Sequence, residues 1–256
     1  MPKVLQVDNI EKVYGGGRGS TTRALAEISF DVEKGDYVAI MGPSGSGKTT
    51  LLNCIATIDR PTSGSISIDG CDLGRMQSHE LSTFRREQLG FIFQDSNLLD
   101  TLTCRENVAL PLTIANVKVS TIDERVEKIA TTLGVVDVLE KYPYQVSGGQ
   151  KQRVAASRAM VGNPTLVLAD EPTGALDSKN AKLLLECFDD LNEQLDATIL
   201  MVTHDSFAAS YCRRVLFIRD GSIFTELVRG DMPRRQFFDR IMEVVAMIGG
   251  DQSDVL

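Results

Sequence analysis

The residues Gly42 to Thr50, GPSGSGKTT, fit the spacing G-x-x-x-x-G-K-[ST] and directly follow the apolar run YVAIM, Tyr37 to Met41. A buried strand that empties into such a loop, with a helix expected from about Lys48, leaves few architectures open to the chain. Gly42, Gly45 and Gly47 let the loop wrap an anion, so that successive backbone N–H groups of Gly42, Pro43, Ser44, Gly45, Ser46, Gly47, Lys48, Thr49 and Thr50, Pro43 excepted, can face phosphate oxygens. Lys48 is placed to reach the β- and γ-phosphates of a nucleotide. Thr49 offers the hard oxygen that Mg²⁺ prefers.

Further strand-length apolar runs appear at Phe91 to Phe93 (FIF), Thr165 to Ala169 (TLVLA) and Thr198 to Val202 (TILMV), alternating with stretches of helical period. This is the pattern of an α/β domain built on a mainly parallel sheet. Leu5 to Tyr14 and Ala24 to Val32 alternate more loosely, which predicts an antiparallel β subdomain joined through GGGRG, Gly15 to Gly19. From Asn97 to Pro143 strand character disappears. Helical stretches take over, including Ser120 to Leu133 with a capping box expected from Ser120 and Asp123, so an inserted helical subdomain is placed at about 97–160. The main domain is expected over 1–230. Beyond it, Phe237, Phe238, Ile241, Val244, Val245 and Ile248 recur at near-helical spacing and predict an amphipathic helix in 231–256, docked on its own domain, with a disordered tail after Gly249.

Three strand ends carry polar groups suited to the chemistry of a bound triphosphate. Asp170 and Glu171 follow TLVLA, at the carboxyl end of a strand, where open α/β sheets bind ligands. Asp170 suits Mg²⁺, and Glu171 suits a general base for the attacking water. Gln94 ends FIF and can serve the metal or that water, while His204 follows TILMVT and can hydrogen-bond the γ-phosphate. Tyr14 can either stack on adenine or pack in the core. His79 lies in the expected helix SHELSTFRREQ and is read as a surface residue.

Ser147, Gly148, Gly149 and Gln150 (SGGQ) precede the helical run KQRVAASRAMVG and form a second helix N-terminus suited to an anion, although an ordinary serine cap also explains them. One chain with two anion sites and one cradle suggests a head-to-tail pair. Each copy would then close the other's nucleotide site, giving a dimer that forms with ATP and opens on hydrolysis.

The formal net charge of -8, with no Lys/Arg-rich run, lacks the electrostatic footprint of a nucleic-acid binder. Five cysteines fall at no C-x-x-C spacing and are read as reduced thiols, and two histidines exclude a His-rich metal site. No apolar run approaches the ~20 residues of a membrane-crossing helix, and the start lacks a signal peptide's apolar centre, so a cytoplasmic protein is expected. A P-loop kinase or GTPase leaves SGGQ and His204 without a role.

Together these segments resemble the ABC (ATP-binding cassette) ATPase family along nearly the whole chain. GPSGSGKTT resembles its Walker A loop, Gln94 its Q-loop glutamine, VSGGQ its signature, LVLADE its Walker B strand, Ala175 to Ser178 (ALDS) its D-loop and His204 its switch histidine. Val146 departs from the usual Leu or Ile. Tyr14 falls where the family has an adenine-stacking aromatic. The strings FRREQLGFIFQ and ADEPTGALDS are similar to the macrolide-export, lipoprotein-release and cell-division group. Within that group, Phe91 to Leu112, Lys141 to Arg153 and Ala208 to Gly221 resemble bacitracin-export-type ATPases, which defend against peptide antibiotics. The resemblance implies an ATP- and Mg²⁺-dependent ATPase, a homodimer, and a permease partner with an extracellular domain, alongside a sensor histidine kinase. The permease is expected to dock after Gln94, near Leu98 and Leu99, and to hold the protein at the inner face of the membrane. A soluble ABC ATPase without transport, or a lipoprotein-release or macrolide-export ATPase, is the alternative.

Overall fold

The computed structural model describes residues 2–15 and 21–250. Most of the glycine-rich GGGRG segment and the tail from 251 onward lie outside the described residues. The chain divides into two compact units, one of Met1–Gln77 with Leu200–Leu256 and the other of Ser78–Ile199.

In the first unit, β1 (Lys3–Tyr14) and β2 (Thr22–Glu33) pair antiparallel, and β4 (Ser63–Ile68) and β5 (Cys71–Asp72) extend the sheet in the order β2-β1-β4-β5. The loose alternation seen in β1 and β2 has a structural cause. Register shifts between Val7 and Ile10, with Asn9 in the left-handed region at φ 46°, break the two-residue period while Leu5, Val7 and Ile10 stay buried. A second set of strands runs in the order β10-β9-β3-β8, with β3 at Tyr37–Met41, β8 at Ile199–Val202, β9 at Arg214–Arg219 and β10 at Ser222–Val228. β3 and β8 are buried at every residue, the expected consequence of covering both faces of a sheet. β3 pairs parallel with β9, and β10 returns antiparallel on β9 with alternating exposure. Among the described residues the unit also holds the α-helices α1 (Lys48–Ile55), the short α7 (Ser206–Ala209) and α8 (Arg234–Gly250).

The second unit pairs β6 (Leu89–Ile92) parallel with β7 (Leu166–Asp170) and holds α2 (Ser78–Gln88), α3 (Cys104–Ile114), α4 (Val119–Thr132), α5 (Gly148–Met160) and α6 (Ser178–Leu195). β6 begins earlier than FIF suggests and stops before Phe93. Gly90 makes this possible, because its bare Cα comes close to the Ala159 carbonyl, where a Cβ would stand 2.5 Å from the oxygen.

The capping box expected from Ser120 and Asp123 is absent. α4 starts one residue earlier, its N-cap is Lys118 without a side-chain cap bond, and Ser120 falls inside the first turn. The helix is held instead by a buried stripe of Ile122, Val126, Ile129 and Ala130. α3 carries a capping box, with Thr103 accepting from the Glu106 amide while the Glu106 carboxylate accepts from the Thr103 amide. All five cysteines are free thiols, and burial pushes the Cys54 thiol up to about 11, which leaves it inert near neutral pH.

Candidate functional site

In the first unit, β3 delivers the chain into the loop 42–47 and α1 starts at Lys48, so the strand, loop and helix arrangement is present. Two glycines are required by space. A Cβ on Gly42 would stand 2.1 Å from the Ile218 carbonyl oxygen, and one on Gly47, at φ 102°, would stand 2.5 Å from that of Ala24. α1 has no side-chain cap and no acid in its first turn, which leaves its first N–H groups to other acceptors. Inside the loop, the Ser46 hydroxyl is buried without a hydrogen-bond partner. An orphaned buried donor in a glycine-rich loop that opens a helix fits an anionic ligand. Lys48 folds back onto the loop, donating to the carbonyls of Gly42 at 2.8 Å and Pro43 at 2.9 Å. The ammonium is thereby held at the loop where a bound anion would sit.

His204 is exposed at the end of β8, and the adjacent Thr203 amide donates to the Ile40 carbonyl of β3 at 3.1 Å. Gly42, Pro43 and His204 line one cavity of about 190 Å³ with Met41, Phe217, Val245, Ile248 and Gly249. The cradle and the histidine are thus brought together within this unit.

Tyr14 is 42% exposed, which removes the core-packing reading. Its hydroxyl donates to Asp59 Oδ2 at 2.7 Å, and the Lys12 ammonium sits 4.9 Å from the ring centroid while donating to Asp59 Oδ1 at 2.5 Å and to the Arg60 carbonyl at 2.7 Å. The hydrogen bond from Lys12 holds the Asp59 carboxyl below the usual carboxylate range, and burial with the Asp59 bond pushes the Tyr14 phenol up. Burial pulls Lys12 down, but the bond and charge of Asp59 outweigh it and the net direction is up. The ring is braced at its hydroxyl end with part of its surface open. Sequence reasoning missed Lys12 and Asp59, because Asp59 lies 45 residues from Tyr14 and neither belongs to a recognisable spacing.

In the second unit, β6 and β7 run in parallel register with Ile92 opposite Ala169, so Gln94 and the pair Asp170 and Glu171 leave neighbouring strands at the same end. Gln94 lies against the loop after Glu171, where a Cβ on Gly174 would meet the Gln94 amide nitrogen at 3.0 Å. Glu171 has φ 47°, a left-handed conformation that costs a non-glycine residue about 1–2 kcal/mol. Such strain persists where surrounding contacts fix the backbone, and it is concentrated at functional sites.

A residue that sequence reasoning did not single out braces the neighbouring backbone. Gln152, 2% exposed, donates from its amide to the carbonyls of Phe93 at 2.5 Å, Gln94 at 3.3 Å and Pro172 at 3.0 Å. It ties the segment carrying Gln94 to the one carrying Glu171. Arg158, on the same helix, donates to Asn97 and Ser96 carbonyls at 2.7 and 3.0 Å, and burial lowers its pKa.

Ser147 caps α5 by accepting from the Gln150 amide, and the Gln150 side chain accepts from the Ser147 amide at 3.0 Å. The serine-cap reading is therefore correct, and Ser147 and Gly148 nevertheless remain exposed. Gly149 is buried against α6, where a Cβ would meet Asn180 Oδ1 at 2.2 Å. Asp177 caps α6, accepting from the amides of Lys179 and Asn180, and those bonds, chiefly from Asn180, hold its carboxyl below the usual range. The segment Ala175 to Ser178 is thus the lead-in to α6.

Known proteins resemble this chain over most of its length. A family profile described as ABC transporter matches residues 25–174. The bacitracin export ATP-binding protein BceA of Halalkalibacterium halodurans is 51% identical over 251 residues, covering 98% of this chain and 99% of the relative. The macrolide export ATP-binding/permease protein MacB of Syntrophobacter fumaroxidans is 43% identical over 234 residues, covering 90% of this chain and 33% of that longer protein. Among solved structures, the ATP-binding cassette MJ0796, as a post-hydrolysis dimer bound to ADP and Pi, superposes with a TM-score of 0.79 at 36% identity, covering 88% of this chain and 98% of that one.

Proposed function

The chain belongs to the ABC transporter family, and from that premise we propose that its ATPase drives a permease which protects cells against bacitracin-like peptides, by export or by removal from their target. It binds ATP and hydrolyses it as the nucleotide-binding subunit of a transporter. The observation that carries the peptide reading is the 51% identity to a bacitracin export ATP-binding protein over nearly the full length of both chains.

The cassette is assigned to 1–230, with the helical subdomain at about 97–160 and the C-terminal helix and tail beyond. Within it, Lys48 and the amides of 42–50 hold the phosphates, Glu171 takes the proton of the attacking water, and His204 hydrogen-bonds the γ-phosphate. Thr49, Gln94 and Asp170 are hard oxygen donors that fit Mg²⁺ and would hold it, and the ion would supply neutralisation of phosphate charge. Ser147, Gly148, Gly149 and Gln150 cover the γ-phosphate held by a second copy. Gln152 keeps Gln94 and Glu171 in step.

Tyr14 stacks on adenine, supported by its exposed and braced ring. Tyr14→Ala is expected to weaken ATP binding by about 1–3 kcal/mol, roughly 5- to 160-fold, while leaving inorganic tripolyphosphate binding unchanged. Titration of both ligands into the full chain checks this; equal losses for the two would remove the stacking role.

No helix among the described residues is long and apolar enough to cross a membrane. The permease supplies that span, holds the ATPase at the inner face and carries the extracellular domain, with a sensor histidine kinase attached through it. Docking near Gln94 is supported by Leu99, 47% exposed, and by a cleft of about 350 Å³ that includes Phe91, Phe93, Leu110, Pro111 and Ile114. Reconstitution with the permease and titration with bacitracin or a nisin-like peptide tests the function. ATP turnover should respond to peptide only in the assembled complex, and cells lacking this chain should become susceptible. Unchanged turnover and unchanged susceptibility would remove the peptide reading and leave the transport ATPase.

A further inference from the structure

α7, the helix that follows His204, is too short to hold itself. It has four residues, below the length at which helical hydrogen bonding offsets the cost of nucleation. Its local supports are Asp205, whose carboxylate accepts from the Phe207 amide at 2.8 Å, and Ser210, whose hydroxyl donates to the Phe207 carbonyl at 2.7 Å. Further support comes from α8, which lies wholly outside the segment matched by the family profile.

α8 clasps this region at both ends. Near its start, the Arg234 guanidinium lies 4.2 Å from the Tyr211 ring centroid and 5.9 Å from that of Phe207. Those two rings meet edge to face at 5.5 Å, so one cation bridges a preformed aromatic pair on and just after α7. Phe237 and Ile241, 1% and 0% exposed, anchor the middle of the helix. At its far end, Val245 and Ile248 line the cavity that also receives Gly42, Pro43 and His204.

We propose that α8 is a positioning device for His204, with Arg234 fixing the helix that follows the histidine and Val245 bounding the space beside it. The proposal rests on the reading of His204 as the γ-phosphate contact. The physical content is pre-organisation. A side chain that must meet charge developing in the transition state contributes most when its backbone is already held in place. Loss of the clasp should leave ground-state nucleotide binding, which the cradle supplies, and should slow turnover.

The test is a double-mutant cycle on the full-length chain, reading kcat and KM for ATP. Arg234→Ala is expected to lower kcat about five- to tenfold, with KM changed less than about twofold, and Arg234→Lys, which keeps the cation, should recover most of the loss. Val245→Ser, at the exposed rim of the cavity, should show the same split and serves as the second variant if Arg234→Ala folds poorly. In a His204→Ala background neither change should lower kcat further. If His204→Ala lowers kcat and the α8 substitutions multiply that loss independently, or if they raise KM instead, the positioning role is overturned. If His204→Ala leaves kcat unchanged, the γ-phosphate reading fails and the proposal falls with it.

Discussion

Glu171→Gln is expected to lower ATP turnover by about 10²–10⁴-fold while leaving ATP affinity within a fewfold of native, because the amide keeps the shape of the side chain and loses the oxygen that accepts a proton. The backbone around it supports this specificity. Glu171 stands at φ 47°, and the Gln152 amide reaches the carbonyls of Phe93, Gln94 and Pro172 beside it. The substitution changes neither the backbone nor those bonds. Steady-state hydrolysis and equilibrium ATP binding on the same preparation check it; native turnover in the variant would withdraw Glu171 as the base.

Lys48→Ala and Ser147→Arg, each made in a separate preparation, are expected to lose about 10²–10³-fold in turnover, one from the cradle and one from the surface that covers the partner's nucleotide. Ser147→Arg should fold, since losing the α5 cap costs about 1 kcal/mol. Mixed together, the two chains form dimers in which the native cradle of the Ser147→Arg chain meets the native SGGQ of the Lys48→Ala chain. One composite site in two is then intact. With random pairing and independent sites the mixture should recover about a quarter of native turnover. Mixed dimers that form and stay as inactive as either parent would contradict independent composite sites.

The parts of the site legible in the sequence are those whose chemistry is local. A phosphate loop needs glycine where the backbone passes close to another carbonyl, as at Gly42 and Gly47, and the helix that follows must open without an acid, as α1 does. Ser147 could be placed at a helix start because its partner Gln150 is three residues away. α8 was legible from the helical spacing of Phe237, Phe238, Ile241, Val244, Val245 and Ile248, of which Phe237, Ile241 and Ile248 form the buried stripe while Phe238, Val244 and Val245 stay partly or largely exposed.

What escaped the sequence depends on distant partners or on competition between equal local signals. Ser120 and Asp123 satisfy a capping spacing, yet α4 starts earlier and is set by its buried stripe. β9 and β10 were not assigned as strands, although β9 is the parallel neighbour of β3. RVLFIR carries a charge at each end and sits after a short helix rather than after a recognisable turn, so nothing local separates it from a helix end. Residue chemistry alone left Tyr14 open between core and ligand, because Asp59, which holds its hydroxyl, lies 45 residues on. Gln152 and Arg158 act on backbone carbonyls some 60 residues away, which no periodicity reports.

The claim underlying all of these results is that ATP closes two copies of this chain on each other. The most direct measurement is the solution mass of the Glu171→Gln variant by light scattering, without nucleotide and with saturating Mg-ATP. The account predicts a chain of 28.0 kDa that doubles in mass with ATP and stays doubled, because the bridging γ-phosphate is no longer removed. A variant that binds ATP, fails to hydrolyse it and remains at the single-chain mass would contradict it.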